Sequence, residues 1–152
     1  MEFIDFPSAP KQIRSLGWKF QKTFQTPLEQ LHPFVDVIVS VGAPKSARIT
    51  IAQALFEPKE WLSVLARYSL EPRYGSGIAV NCSGGREIRE LLAATFGGWV
   101  DFAYVPSPKR FVIYADHDEY ATLYANSRAN LNSIVQALVG IGVKEVEFTR
   151  YL

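Results

Sequence analysis

From Gly77 onward the chain switches repeatedly between the period of a strand and the period of a helix, and this succession limits the folds open to it. "GIAVNC" (Gly77 to Cys82) is a short apolar run of strand length. "SGGREIRELLAATFGG" then places Ile88, Leu91, Leu92, Thr95 and Phe96 at i, i+3, i+4, i+7 and i+8, the stripe of a helix with one buried face. Gly97 and Gly98 follow, suited to a left-handed helix stop. "WVDFAYV" and "RFVIYA" flank "PSPK" and predict a hairpin. Tyr120, Leu123, Tyr124, Leu131, Ile134, Val135 and Leu138 read as one further helical stripe, closed by Gly140 and Gly142. "KEVEFTRY" alternates apolar and charged residues as a final strand.

The order β-α-β-β-α-β resembles the ferredoxin-like, split βαβ arrangement. The first half reads as a weaker version of it. "MEFIDF" and "GWKFQKTFQ" predict strands, and Thr26-Pro27 predicts the start of a short helix that Pro33 ends. Phe34 to Gly42 and Ala47 to Phe56 are β-branched and largely alternating, with "APKS" between them, so a hairpin is expected. "EPKEWLSVLARYSLEP" predicts a helix bounded by Pro58 and Pro72. The expectation is an α+β chain, ferredoxin-like in its second half or a tandem version of that fold, with helices on one face of a sheet. A single domain over 1–152 is expected. Leu70 to Gly77 is the best boundary if the chain divides into 1–72 and 73–152.

Composition narrows the function classes. A chain of 152 residues that is 48% hydrophobic and 20% charged is globular rather than disordered. A net charge of +1 argues against coating nucleic acid or an anionic membrane. The lone cysteine, Cys82, excludes an intramolecular disulfide and a multi-thiolate metal site. The N-terminal stretch lacks the apolar run of a secretory leader, and no segment approaches the ~20 apolar residues of a membrane span. A cytoplasmic location is the expectation.

Two short stretches could carry chemistry. "YADHDEYATLY" (Tyr114 to Tyr124) gathers Asp116, His117, Asp118 and Glu119. Asp116 and Glu119 have the spacing of a capping box, so the acids are expected at the first turn of a helix, with His117 solvated. Adjacent helical residues diverge, so the cluster alone is not expected to chelate a metal. The second stretch is "VNCSGGREIREL", in which Cys82, Ser83, Gly84, Gly85 and Arg86 form a glycine-rich turn from strand to helix. Free N–H groups there could seat an anion, and a helix N-terminus lowers a thiol pKa. Three residues separate Cys82 from Arg86, and thiol phosphatase and sulfurtransferase loops need five or four, so neither family is assigned.

No P-loop, dinucleotide fingerprint or zinc-protease motif occurs. No two polar groups can be paired from the sequence in catalytic roles, so a non-enzymatic binding module without cofactor or metal is expected. The expected partner is another protein, in the manner of an inhibitor or immunity protein. Tyr68, Tyr74, Tyr104 and Tyr151 are its candidate anchors, because tyrosine is enriched in binding hot spots. A homodimer through an uncovered sheet edge is a further option. The alternative is an anion-binding regulator or enzyme working at Cys82 to Arg86.

Overall fold

The computed structural model describes residues 1–5, 8–150 and 152, so Phe6, Pro7 and Tyr151 lie outside the described residues. Among the described residues the chain is α+β, with five α-helices and one eight-stranded sheet. In chain order the elements are β1 (Glu2–Ile4), α1 (Ala9–Arg14), β2 (Phe20–Gln25), α2 (Leu31–Gly42), β3 (Ser46–Ala54), α3 (Lys59–Arg67), β4 (Ala79–Ser83) and α4 (Gly84–Phe96). There follow β5 (Val100–Ser107), β6 (Val112–Ala115), β7 (Tyr120–Ala125), α5 (Arg128–Gly140) and β8 (Glu145–Val146). Every neighbouring pair of strands is antiparallel, in the order β1-β4-β3-β5-β6-β7-β2-β8.

Two expectations about elements are overturned. Phe34 to Gly42 is not a strand but the body of α2, with Phe34, Val35, Ile38, Val39 and Gly42 buried. Those positions fall on one helical face, so burial overrides the β propensity of the valines and isoleucine. Pro33 sits in the first turn of α2, where its missing N–H costs nothing, and so it does not end a helix. The second correction is at Tyr120 to Ala125, which forms β7. From Ala121 to Ala125 every residue is buried, so the strand shows no alternation that could reveal it. The second half therefore runs β-α-β-β-β-α-β, one strand more than the ferredoxin-like order expected.

The helices do not share one face. The main core packs α2, α3, α4 and α5 over one side of the sheet, around Phe34, Trp61, Phe96 and Phe102. Phe96 meets Phe34 and Phe102 edge-on at 5.1 and 4.9 Å. Burying aromatic side chains of this size stabilises the fold by roughly 1.5–3 kcal/mol each. On the other side α1 places Ala9 and Ile13 against Val105, Val112, Tyr114 and Tyr124. A pair of threonines, Thr23 and Thr122, bridges β2 to β7 at 2.9 Å within this second face. Among the described residues no helix is long and apolar enough to cross a membrane.

Candidate interaction surface

The four residues from Asp116 to Glu119 join β6 to β7 and do not start a helix. The Asp116 N–H donates to the Tyr120 carbonyl at 3.0 Å, and the Tyr120 N–H donates back to Asp116 Oδ1 at 3.1 Å. His117, Asp118 and Glu119 form a three-residue loop whose last member, Glu119, has φ of +70°. This is the left-handed position that closes a three-residue hairpin loop, usually filled by glycine. The acids are therefore turn residues, and the capping-box spacing arises from the turn.

Asp116 and Asp118 each have a defined side-chain neighbour. Asp116 pairs with Arg150, which stacks over Tyr114 and Phe148 at 5.1 and 5.6 Å. Asp101, on β5, accepts the His117 backbone N–H at 2.7 Å and lies 2.7 Å from His117 Nδ1. The Asp101 hydrogen bond raises the His117 pKa against the lowering by burial, and Asp118, 3.4 Å from Nε2, adds to the rise. The imidazole is thus held between two carboxylates. Its second nitrogen meets an acid where a relay to a nucleophile needs a hydroxyl or thiol. Among the described residues no group of three His, Cys, Asp or Glu side chains could hold a metal ion.

Beside this turn the surface is aromatic. Trp99, between α4 and β5, is 50% exposed and held at φ +55°, an uncommon conformation for a bulky side chain. Phe56, after β3, is 66% exposed and packs edge-on to Trp99 at 6.4 Å. The Leu55 N–H donates to the Trp99 carbonyl at 3.3 Å, which ties the two loops together. Trp99, Leu28, Thr26, His117 and Glu119 line a shallow cleft of about 20 Å³. Thr26 is buried there, and its hydroxyl has no hydrogen-bond partner among the described residues. Tyr120 and Phe148, both partly exposed, form a further aromatic pair at 6.2 Å from each other.

The glycine turn is built differently from an anion seat. Cys82 is fully buried, and burial, with help from Glu87, pushes its thiol up to about 12. The Ser83 N–H donates to the Glu87 carboxylate at 2.8 Å, so the chain's own acid occupies the positive end of α4. The Gly84 N–H donates to the Lys45 carbonyl at 2.9 Å. A Cβ on Gly85 would come within 2.6 Å of Arg89 Nη1, and Arg89 is turned to Asp36 at 3.1 Å. Arg86 points into solvent and pairs with Glu90 at 3.2 Å. The thiol, the glycine N–H groups and Arg86 thus do not converge.

The tyrosine anchors separate as well. Tyr74 is exposed and Tyr68 is half-buried, with its hydroxyl pKa raised by burial and by Glu90. Tyr104 is fully buried under the helices and cannot touch a partner. Tyr151 lies outside the described residues. The aromatic residues that do reach the surface together, Phe56 and Trp99, escaped the sequence reading. Both fall at the ends of predicted strands, where an apolar residue reads as core. Comparison of the chain with protein-family models, with curated proteins and with solved structures finds no match.

Proposed function

We propose that the chain is a non-enzymatic binding module that docks another protein, in the manner of an inhibitor, through the end of the sheet formed by Phe56, Trp99 and the turn from Asp116 to Glu119. The observation that carries this reading is the exposed Phe56–Trp99 pair, with its tryptophan held in a left-handed backbone conformation. Large aromatics cost free energy in water, and a rigid aromatic flanked by polar groups is the usual centre of a protein interface. Asp118 and Glu119 beside the pair favour a partner whose contact surface is basic. A basic surface is typical of proteins that act on nucleic acids, which suits an inhibitory role.

Affinity capture from the native source tests this. The wild-type chain should retain a basic partner, with retention falling as salt rises. A Phe56→Ser/Trp99→Ser variant with an unchanged circular dichroism spectrum should lose at least about 30-fold in affinity, the effect of removing one aromatic hot spot. Retention of the same partner by the folded double variant would place the interface elsewhere. Tyr74→Ser is the control, an exposed tyrosine outside the proposed surface that should leave binding intact.

A further inference from the structure

The opposite face of the sheet carries a second cleft, of about 250 Å³, between α1 and the start of β2. Trp18 and Tyr124 give it an aromatic lining, and Arg14, Lys19 and Arg150 give it three cations. Among the described lining side chains there is no carboxylate. Arg150 is already neutralised by Asp116. Arg14 and Lys19 have no side-chain ion pair or hydrogen bond among the described residues. Like charges gathered at a concavity repel one another unless an anion joins them.

The same cleft holds two polar groups that the fold leaves unsatisfied. The Trp18 indole N–H and the Arg150 Nε–H are both buried without an acceptor. A buried donor without an acceptor is costly, and Trp18 and Arg150 bring two such donors to one small cleft. Trp18 is half-buried as a whole, and its indole N–H meets a bound oxygen only if the ring turns about its side-chain bonds. What both donors lack is an oxygen acceptor, and what Arg14 and Lys19 lack is an acidic side chain to pair with.

We propose that this cleft binds a small organic anion, a single flat ring carrying a phosphate or carboxylate. The ring stacks between Trp18 and Tyr124. The anionic oxygens take the Trp18 N–H and the charges of Arg14 and Lys19. The volume admits one ring with its head group and little more. This site adjoins the proposed protein interface through the Arg150–Asp116 pair.

Titration of the isotope-labelled chain with phenyl phosphate, benzoate and inorganic phosphate, read at the three indole N–H resonances, tests the proposal. The Trp18 resonance should move and saturate with phenyl phosphate or benzoate, while those of Trp61 and Trp99 stay in place. The tighter of the two identifies the head group, and inorganic phosphate should bind more weakly than phenyl phosphate for want of the ring. An Arg14→Gln/Lys19→Gln variant, altered only at exposed residues, should bind about tenfold more weakly. Trp99→Ser should bind as the wild type does. Absence of any saturating Trp18 shift up to about 10 mM of each probe overturns the proposal. Equal binding by the Arg14/Lys19 variant overturns it as well.

Discussion

Burial lifts the Cys82 thiol to about 12, because a thiolate in the apolar core under α4 would lose its hydration. The nearby helix N-terminus does not compensate, since Glu87 already faces it. The expected outcome is slow labelling of the native protein by a thiol reagent at neutral pH and fast labelling once it is denatured. There is also a signature in stability against pH. Below pH 9 the thiol is protonated whether the chain is folded or not, so its contribution is fully present. Between pH 9 and about 12 the unfolded chain releases a proton that the folded chain keeps, and that contribution falls away. Wild type should lose more stability than Cys82→Ala across this window. A parallel decline of the two, measured by urea unfolding at each pH, would mean that the thiol is accessible in the fold.

The hairpin from β6 to β7 shows what local sequence can and cannot say. Where one face alone is buried the pattern is legible. Ile88, Leu91, Leu92 and Phe96 mark α4 correctly, and α3 follows from Trp61, Leu62, Leu65 and Tyr68, of which Trp61 and Leu65 are buried. Where both faces are buried the pattern disappears, as in β7, whose Thr122 and Tyr124 face α1 while Ala121 and Leu123 face α5. Tyr120, Leu123 and Tyr124 then fall by accident on a helical spacing with Leu131 and Leu138, which do lie buried on α5. The true start of α5 is Ser127, whose hydroxyl accepts the Asn130 N–H at 3.2 Å. The surface pair Phe56 and Trp99 was hidden for a different reason: exposure at a loop is set by tertiary packing, which no window of residues contains. The hairpin also yields a prediction. Glu119 occupies a left-handed position that suits glycine, at a cost of roughly 1–2 kcal/mol for a side-chain-bearing residue. Glu119→Gly should raise stability by up to about 1 kcal/mol in thermal or urea unfolding, after the greater flexibility of glycine is subtracted. A loss of stability would mean that the Glu119 side chain contributes contacts that outweigh the strain.

Across the whole molecule the near-neutral net charge conceals a separation. Lys45, Lys109 and Arg110 stand where β3 begins and β5 ends, whereas Glu57, Asp118 and Glu119 stand at the opposite end of those strands, beside the paired Asp116 and Arg150. Such a molecule has a direction in an electric field, and a basic partner would approach it preferentially from the acidic end. The sheet also joins the two halves of the sequence. β2 lies between β7 and β8, and β3 lies between β4 and β5. A single cooperative unfolding transition is therefore expected, with tryptophan fluorescence and far-ultraviolet dichroism coincident. Fragments 1–72 and 73–152 should each fail to fold alone. Two separated transitions, or a folded fragment, would establish two units. The position of β2 bears on how the chain emerges during synthesis. Thr23 waits for Thr122, 99 positions later, before its hydroxyl finds its partner. At about 5–20 residues per second this leaves β2 without its neighbour for several seconds or more on the ribosome. Its apolar face, with Phe20 and Phe24, is open through that interval to chaperones or to neighbouring nascent chains. The yield of soluble protein should therefore depend on the speed of translation through the stretch that separates these two threonines.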